Sequence, residues 1–445
     1  MEFDRRQIRR PWPVSAAGLA LLLLLACTTS APVPVADRTS LESGRIEPSG
    51  YRPFSPATST VILIGIDALG WDFAAHTDTP ALDRLRNAGA TTERLIPSFP
   101  TKTFPNFYTL ATGLFPGHHG LIANNIFDPE MPTRFALSDR AAVGDGRWYG
   151  GEPIWVTAER QEVRTAAFFW PGTEAEIAGY RPSDWHLYDG AIPNSQRVDQ
   201  LLDWLRRPVD ERPRLLTLYF STVDDAAHAF PPGSPEVDAA VRAVDGEVGR
   251  LIDGLNRQGL FERTHIVIAS DHGMAATSPE RVILIDDLID PEEANIIDWN
   301  PVLALHPAAD RVEAVYAALA GVHPHLQVYR RSDLPTRFHY SSHPRIPPII
   351  AIADEGWSIT SHRQFDGHTA RFAGGNHGYD NRLRSMGATL IAAGPGLRRG
   401  VVSPPLENIH LYSLLCYLLG IEPAANDGDL SAVASWLRTP LQDGD

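Results

Sequence analysis

Three acidic residues and three histidines recur in short polar runs along the chain. The runs are Ile66-Asp67-Ala68-Leu69-Gly70, Asp224-Asp225-Ala226-Ala227-His228, Ser270-Asp271-His272-Gly273 and Gly374-Gly375-Asn376-His377-Gly378-Tyr379-Asp380. Singly, each is a weak signal. An Asp after a strand is usually a turn or cap residue, and a lone His beside Gly is more often structural than a ligand. Together, Asp67, Asp224, Asp271, His228, His272 and His377 make a mixed carboxylate and imidazole set, the ligand chemistry that suits zinc. Two such ions can clamp the attacking and leaving oxygens of an in-line phosphoryl displacement.

A further segment, Pro100-Thr101-Lys102-Thr103-Phe104-Pro105-Asn106, runs into the helical-looking stretch Phe107 to Gly113. Thr103 stands at the expected helix start, where free backbone N–H groups can face an anion, and Pro105 is compatible with a first turn. A threonine hydroxyl is a weak nucleophile that needs a metal ion to expose its alkoxide near neutral pH. On spacing alone Thr103 reads equally well as a plain helix cap. As an alkoxide beside Asp67, Asp224 and Asp271 it would set four negative charges against two divalent cations. Such a near-neutral site suits a monoanionic diester better than a dianionic monoester.

The elements that must position these groups alternate. Val61 to Ile66 is an apolar run of buried-strand length, and Pro80 to Ala88 has helical spacing ending at Gly89. Further strands are expected at Thr165 to Phe169, Leu215 to Phe220, His265 to Ala269 and Thr389 to Ala392, with helices near 194–206, 235–258 and 407–419. This alternation predicts an α/β fold, a mostly parallel sheet covered by helices on both faces. Reactive groups then gather in loops at the carboxyl ends of the strands. Residues 283–360 break the rhythm and read as a small inserted cap.

The run Lys102-Thr103-Phe104-Pro105-Asn106, with the Asp224 to His228, Asp271-His272-Gly273 and Asn376-His377-Gly378-Tyr379-Asp380-Asn381 segments downstream, resembles the nucleotide pyrophosphatase/phosphodiesterase family of the alkaline phosphatase superfamily. The motifs stand in family order across residues 58–425. The resemblance implies an alkaline-phosphatase-like core and a hydrolase acting on nucleotide-like phosphodiesters and pyrophosphates through a phosphoryl-threonine intermediate on Thr103. It implies two zinc ions per chain. One would be held by Asp224, His228 and His377, the other by Asp67, Asp271, His272 and the Thr103 oxygen. Asn124 would donate to a phosphoryl oxygen, and the rings of Phe104 and Tyr219 would flank the base. Val223 and Ala227 depart from the family pattern of Pro and Gly, though the ligand spacing is kept. Asp225 adds a negative charge, and His118-His119 is assigned to structure.

The bulk composition is that of an ordinary globular protein. Of 445 residues, 43% are hydrophobic and 21% charged, and the formal charge is −15. That charge argues against duplex nucleic acid as a partner, because phosphate backbones need a basic footprint. Arg5, Arg6, Arg9 and Arg10 precede an apolar run and the tetrad Leu24-Leu25-Ala26-Cys27. This predicts an export signal over residues 1–27, with Cys27 as a lipid anchor to the cell envelope. A linker is expected at 28–58, a catalytic domain at 59–425 and a C-terminal tail at 426–445. A lipid or choline-type diesterase is the near alternative. A monoesterase would want an extra cation, and a non-catalytic lipid-tethered binding protein would not need the full ligand set.

Overall fold

The structure, a computed structural model, describes residues 58–438 apart from residue 132. The expected export signal with Cys27, and residues 28–57 of the expected linker, lie outside the described residues. Eight strands form the main sheet: β1 (Thr60–Ile66), β2 (Ala90–Thr92), β3 (Thr165–Phe168), β4 (Asp184–Trp185), β5 (Leu215–Phe220), β6 (Thr264–Ala269), β7 (Leu390–Ala393) and β8 (Val401–Ser403). Their spatial order is β8-β2-β7-β6-β1-β5-β3-β4. All run parallel except β7, which pairs antiparallel with both β6 and β2. The mostly parallel sheet matches expectation; the reversed strand was not foreseen.

β1 lies at the centre, and its apolar run is continuous because both faces are covered. Val61, Ile62, Leu63, Ile64 and Ile66 are all fully buried, each side chain contributing about 1.5–3 kcal/mol through burial. Gly65 interrupts them for a steric reason. A Cβ there would stand 2.6 Å from the ring of Phe107 and 2.9 Å from that of Trp170. Those rings belong to the layer over the sheet's reactive end. They bring helix α1 (Thr103–Thr112) down onto β1.

The register sets the ends of three strands side by side. Gly65 of β1 faces Tyr219 of β5 on one side and Ala269 of β6 on the other. Asp67 and Asp271 therefore leave neighbouring strands at nearly the same height. One expectation is corrected here. Asp224 and His228 do not lie in a loop but on helix α2 (Thr222–Ala229), one turn apart. That i, i+4 spacing puts both on a single helix face.

The inserted segment builds its own antiparallel sheet, in the order Ile296–Asp298, Val302–Leu305, Ile349–Ala353, Leu326–Arg330. Its residues alternate between two cores. Val302, Ala304, Ile350 and Ile352 join the main core, whereas Leu303, Leu305, Ile349 and Ala351 face a second apolar cluster. This period of two ties the insert to the core on one face. Arg345 adds a polar anchor, donating to Asp128 Oδ2 at 2.6 Å and to the carbonyls of Gly120, Trp148 and Arg147. The expected C-terminal tail is also corrected. Val433, Trp436 and Leu437 are buried in the main core, so residues 426–438 complete the domain.

Candidate active site and metal centre

The structure brings together the six sequence-predicted ligands and Thr103. Asp67, Asp271 and His272 offer ligand atoms within 4.8 Å of one another, and so do Asp224, His272 and His377. His272 lies between the two groups, its ring stacked on that of His377 at 3.6 Å. Its Nε2 is 2.9 Å from Asp271 Oδ2 and 3.6 Å from Asp67 Oδ1. His228 stands apart, half exposed at the rim. Its Nε2 is 3.5 Å from Asp224 Oδ2.

Two observations fit this set to cations. Asp67 Oδ1 and Asp224 Oδ1 are buried without a hydrogen-bond partner, and Asp271 Oδ2 faces only the His272 ring nitrogen, an arrangement that is costly unless a charge completes it. In addition, all three imidazoles point Nδ1 at a backbone carbonyl. His377 reaches Thr101 O at 2.8 Å, His272 reaches Gly273 O at 3.0 Å and His228 reaches Gly375 O at 3.1 Å. Those contacts suit a proton on Nδ1 and turn each Nε2 toward the carboxylates, the usual outer support of a metal-binding histidine.

The electrostatics agree. Burial, then the neighbouring Asp271 and Asp224 carboxylates, hold the Asp67 carboxyl well above the usual carboxylate range. Burial likewise raises Asp224, against the opposing pull of His228 and His272. For His377, burial and then His272 and His228 push the imidazole well below its usual range. At His272 burial opposes the charged form, but Asp271 more than offsets it and the group ends up raised. Carboxylates packed this tightly resist ionising together, and a bound divalent cation reverses that logic.

Thr103 is the first residue of α1, with Lys102 as its cap in extended conformation. Its Oγ1 lies 3.4 Å from His272 Nε2. Asn124 Oδ1 accepts from the Phe104 N–H at 3.2 Å. With its oxygen engaged there, the amide nitrogen is left as the available donor beside the helix start. At the next residue of the β1 strand end, Ala68 takes a positive φ of 59°. This turn sends its N–H to Asp271 Oδ1 at 3.2 Å. The two strand ends are thereby linked at a modest conformational cost.

A cavity of about 210 Å³ opens beside Thr103, lined among others by Phe104, Leu137, Tyr188, Tyr219 and Asp225. Tyr219 lines it, but its hydroxyl is committed. It donates to Asp67 Oδ2 at 2.6 Å, and burial followed by the Asp67 charge keeps that phenol protonated. The ring expected to flank a base thus also steadies a ligand. Tyr188, 37% exposed, is the more open aromatic wall, 6.0 Å from Tyr219 between ring centres. Sequence reasoning missed it, because it sits in a stretch without period; its one signal was an aromatic in a polar loop. Arg140, the only cation among the described lining residues, pairs with Glu174. The His118-His119 pair serves structure, as expected. His119 is fully buried, burial lowers it to about 3, and its ring contacts Thr109 Oγ1 at 3.1 Å.

Comparison with known proteins agrees with this geometry. The family described as "Type I phosphodiesterase / nucleotide pyrophosphatase" matches residues 61–380. Human ectonucleotide pyrophosphatase/phosphodiesterase family member 5 is 34% identical over 388 residues, covering 87% of this chain and 80% of the relative. The Xenopus laevis bis(5'-adenosyl)-triphosphatase of the same family is 34% identical, covering 86% and 82%. Among solved structures, murine family member 5 superposes with a TM-score of 0.80 at 34% identity, over 85% of this chain and all of the other. An inactive threonine-to-alanine variant of that protein, in complex with AMP, superposes equally well with a TM-score of 0.80. The expected alkaline-phosphatase-like α/β core is therefore present, and the chain belongs to the nucleotide pyrophosphatase/phosphodiesterase family.

Proposed function

We propose that this chain hydrolyses nucleotide-like phosphodiesters and pyrophosphates with Thr103 as the nucleophile. The observation that carries this reading is the position of Thr103 Oγ1. It stands at the N-terminal turn of a buried helix, 3.4 Å from His272 Nε2, in the site that also gathers the Asp67, Asp224 and Asp271 carboxylates. Two zinc ions per chain suit the donor set. Asp67, Asp271, His272 and Thr103 Oγ1 would hold one, and Asp224 and His377 the other, with His228 closing it at the rim. When bound, such ions supply charge stabilisation for the attacking and leaving oxygens and make a threonine alkoxide accessible near neutral pH.

The protein's own groups do the rest. Thr103 Oγ1 attacks phosphorus, and the bond to the leaving oxygen breaks, giving a phosphoryl-Thr103 ester. Water then attacks the same phosphorus and Thr103 Oγ1 departs. The Thr103 N–H at the start of α1 and the Asn124 amide nitrogen would face the phosphoryl oxygens, where donors aimed at developing charge are most effective. Tyr219 holds Asp67 in place. The cavity walls, Phe104, Tyr188 and the edge of Tyr219, offer a base-sized ring a stacking surface. The AMP complex of the murine relative supports a nucleotide occupant. Arg140 is already neutralised by Glu174, which favours a diester over a dianionic monoester. The N-terminal basic and apolar run ending at Cys27 supports an exported, lipid-anchored enzyme.

A hydrolysis panel tests this directly: a nucleotide diester, ATP, glycerophosphocholine and a simple monoester, each with the native chain and with Thr103→Ala. The nucleotide diester should be turned over best. Thr103→Ala should retain metal but lose at least about 10³-fold in kcat. Glycerophosphocholine turned over far better than any nucleotide would reassign the enzyme to lipid-type diesters.

A further inference from the structure

We propose that Asp298, carried by the inserted segment, is a positioning residue for the nucleophile. Asp298 ends the Ile296–Asp298 strand and is buried. Its Oδ2 accepts from Lys102 Nζ at 2.5 Å, with side-chain exposures of 9% and 5%. Its Oδ1 accepts from Asn125 Nδ2 at 3.2 Å and from the Trp299 N–H at 3.0 Å, so the carboxylate is held on both oxygens. Lys102 directly precedes Thr103, and Asn125 directly follows Asn124. One carboxylate from a distant insert thus grips the neighbours of both the nucleophile and the oxygen-binding amide.

The other side of Lys102 is equally confined. Gly378, next to His377, has a φ of +111° and passes so close that a Cβ there would meet Pro301 Cδ at 2.7 Å and Lys102 Cε at 3.3 Å. Thr101 completes the frame, its carbonyl facing His377 Nδ1 and its hydroxyl accepting from the Gly378 N–H at 2.9 Å. The Thr101-Lys102-Thr103 strip is therefore held between a ligand loop and the insert. A buried ion pair is an expensive way to fill space, and apolar residues often do it as well or better. What the pair adds is a fixed location for the chain on either side of the reacting groups. Displacing a reacting group by about 1 Å can cost 10²-fold in rate.

Asp298 reaches no reacting atom in this arrangement; it acts through Lys102 and Asn125. The inference rests on Thr103 being the nucleophile, which Thr103→Ala tests separately. In the metal-loaded full chain, Asp298→Asn should lower kcat by about 10- to 100-fold, the range of supporting contacts around a site. KM should stay within about threefold, and zinc content should be unchanged. The loss should be equal for a nucleotide diester and a small diester without a base. Adding Lys102→Met should cost little more than either change alone, since both remove one interaction. Asn125→Ala, at an exposed residue whose removal spares the fold, should lower kcat by about 3- to 10-fold at constant KM. It remains informative if Asp298→Asn does not fold. Wild-type kcat in folded, metal-loaded Asp298→Asn, or in Asn125→Ala should Asp298→Asn not fold, would overturn the proposal. So would a loss confined to KM or to base-bearing substrates. Should Thr103→Ala be inactive while these variants are unimpaired, only the role of Asp298 falls.

Discussion

The two halves of the candidate metal centre are built differently. Asp67, Asp271 and His272 leave the ends of central parallel strands and are 0–2% exposed. Their backbone is fixed by β1 and β6, and the Ala68 N–H ties one strand end to the other. Asp224 and His228 are carried instead by an eight-residue surface helix, where the His228 side chain is 42% exposed. Only His377 and the shared His272 hold that half from within. The difference teaches that preorganisation is concentrated on the side where the nucleophile sits.

Under that asymmetry, equal changes should have unequal effects. Asp271→Ala should lower metal content and activity together, by on the order of 10⁴-fold in kcat, because it removes a buried ligand with no replacement. His228→Ala should cost far less, about 10- to 100-fold. Added zinc should recover part of it, since solvent can fill an open position at the rim. Metal analysis beside steady-state kinetics checks both, and similar losses at the two residues would remove the distinction.

The smallest effect is expected one step outside the ligands. Tyr219→Phe removes the hydroxyl that donates to Asp67 while keeping the ring. Outer contacts of this kind are typically worth 10- to 100-fold in metal affinity or activity, and the low end, about 10-fold, applies here because Asp67 stays anchored on β1. A loss seen as weaker zinc retention, measured by competition with a chelator, would place Tyr219 in the support of the metal centre. A change in KM for nucleotides alone would return it to the base-binding wall.

The strand-borne half was the legible half. The continuous run from Val61 to Ile66 and its terminal Asp67 announce a buried strand with a polar end, and Ser270-Asp271-His272-Gly273 repeats the pattern. Asp224 and His228 stand out in the sequence as ligands but read there as loop residues. Their i, i+4 spacing is helical, but the segment is too short for the period to stand out. The reversed direction of β7 leaves no local trace, because a buried strand is equally apolar either way. Tyr188 lies in a loop, where neither period nor neighbours single it out. The Lys102 and Asp298 pair spans 196 positions, and no local pattern carries a contact of that reach. The C-terminal stretch reads as a tail because Val433 and the Trp436-Leu437 pair stand apart, with Ala434 and Ser435 between them and no sustained period, although all three residues fill the core.

The central claim, a covalent intermediate on Thr103, has a direct stereochemical test. Hydrolysis of a nucleotide diester carrying a chiral phosphorothioate, run in isotopically labelled water, reports the configuration at phosphorus. Two successive in-line displacements, first by Thr103 Oγ1 and then by water, give overall retention, which is the result expected here. Inversion would mean that water attacks the substrate in one step, and it would contradict the nucleophilic role of Thr103.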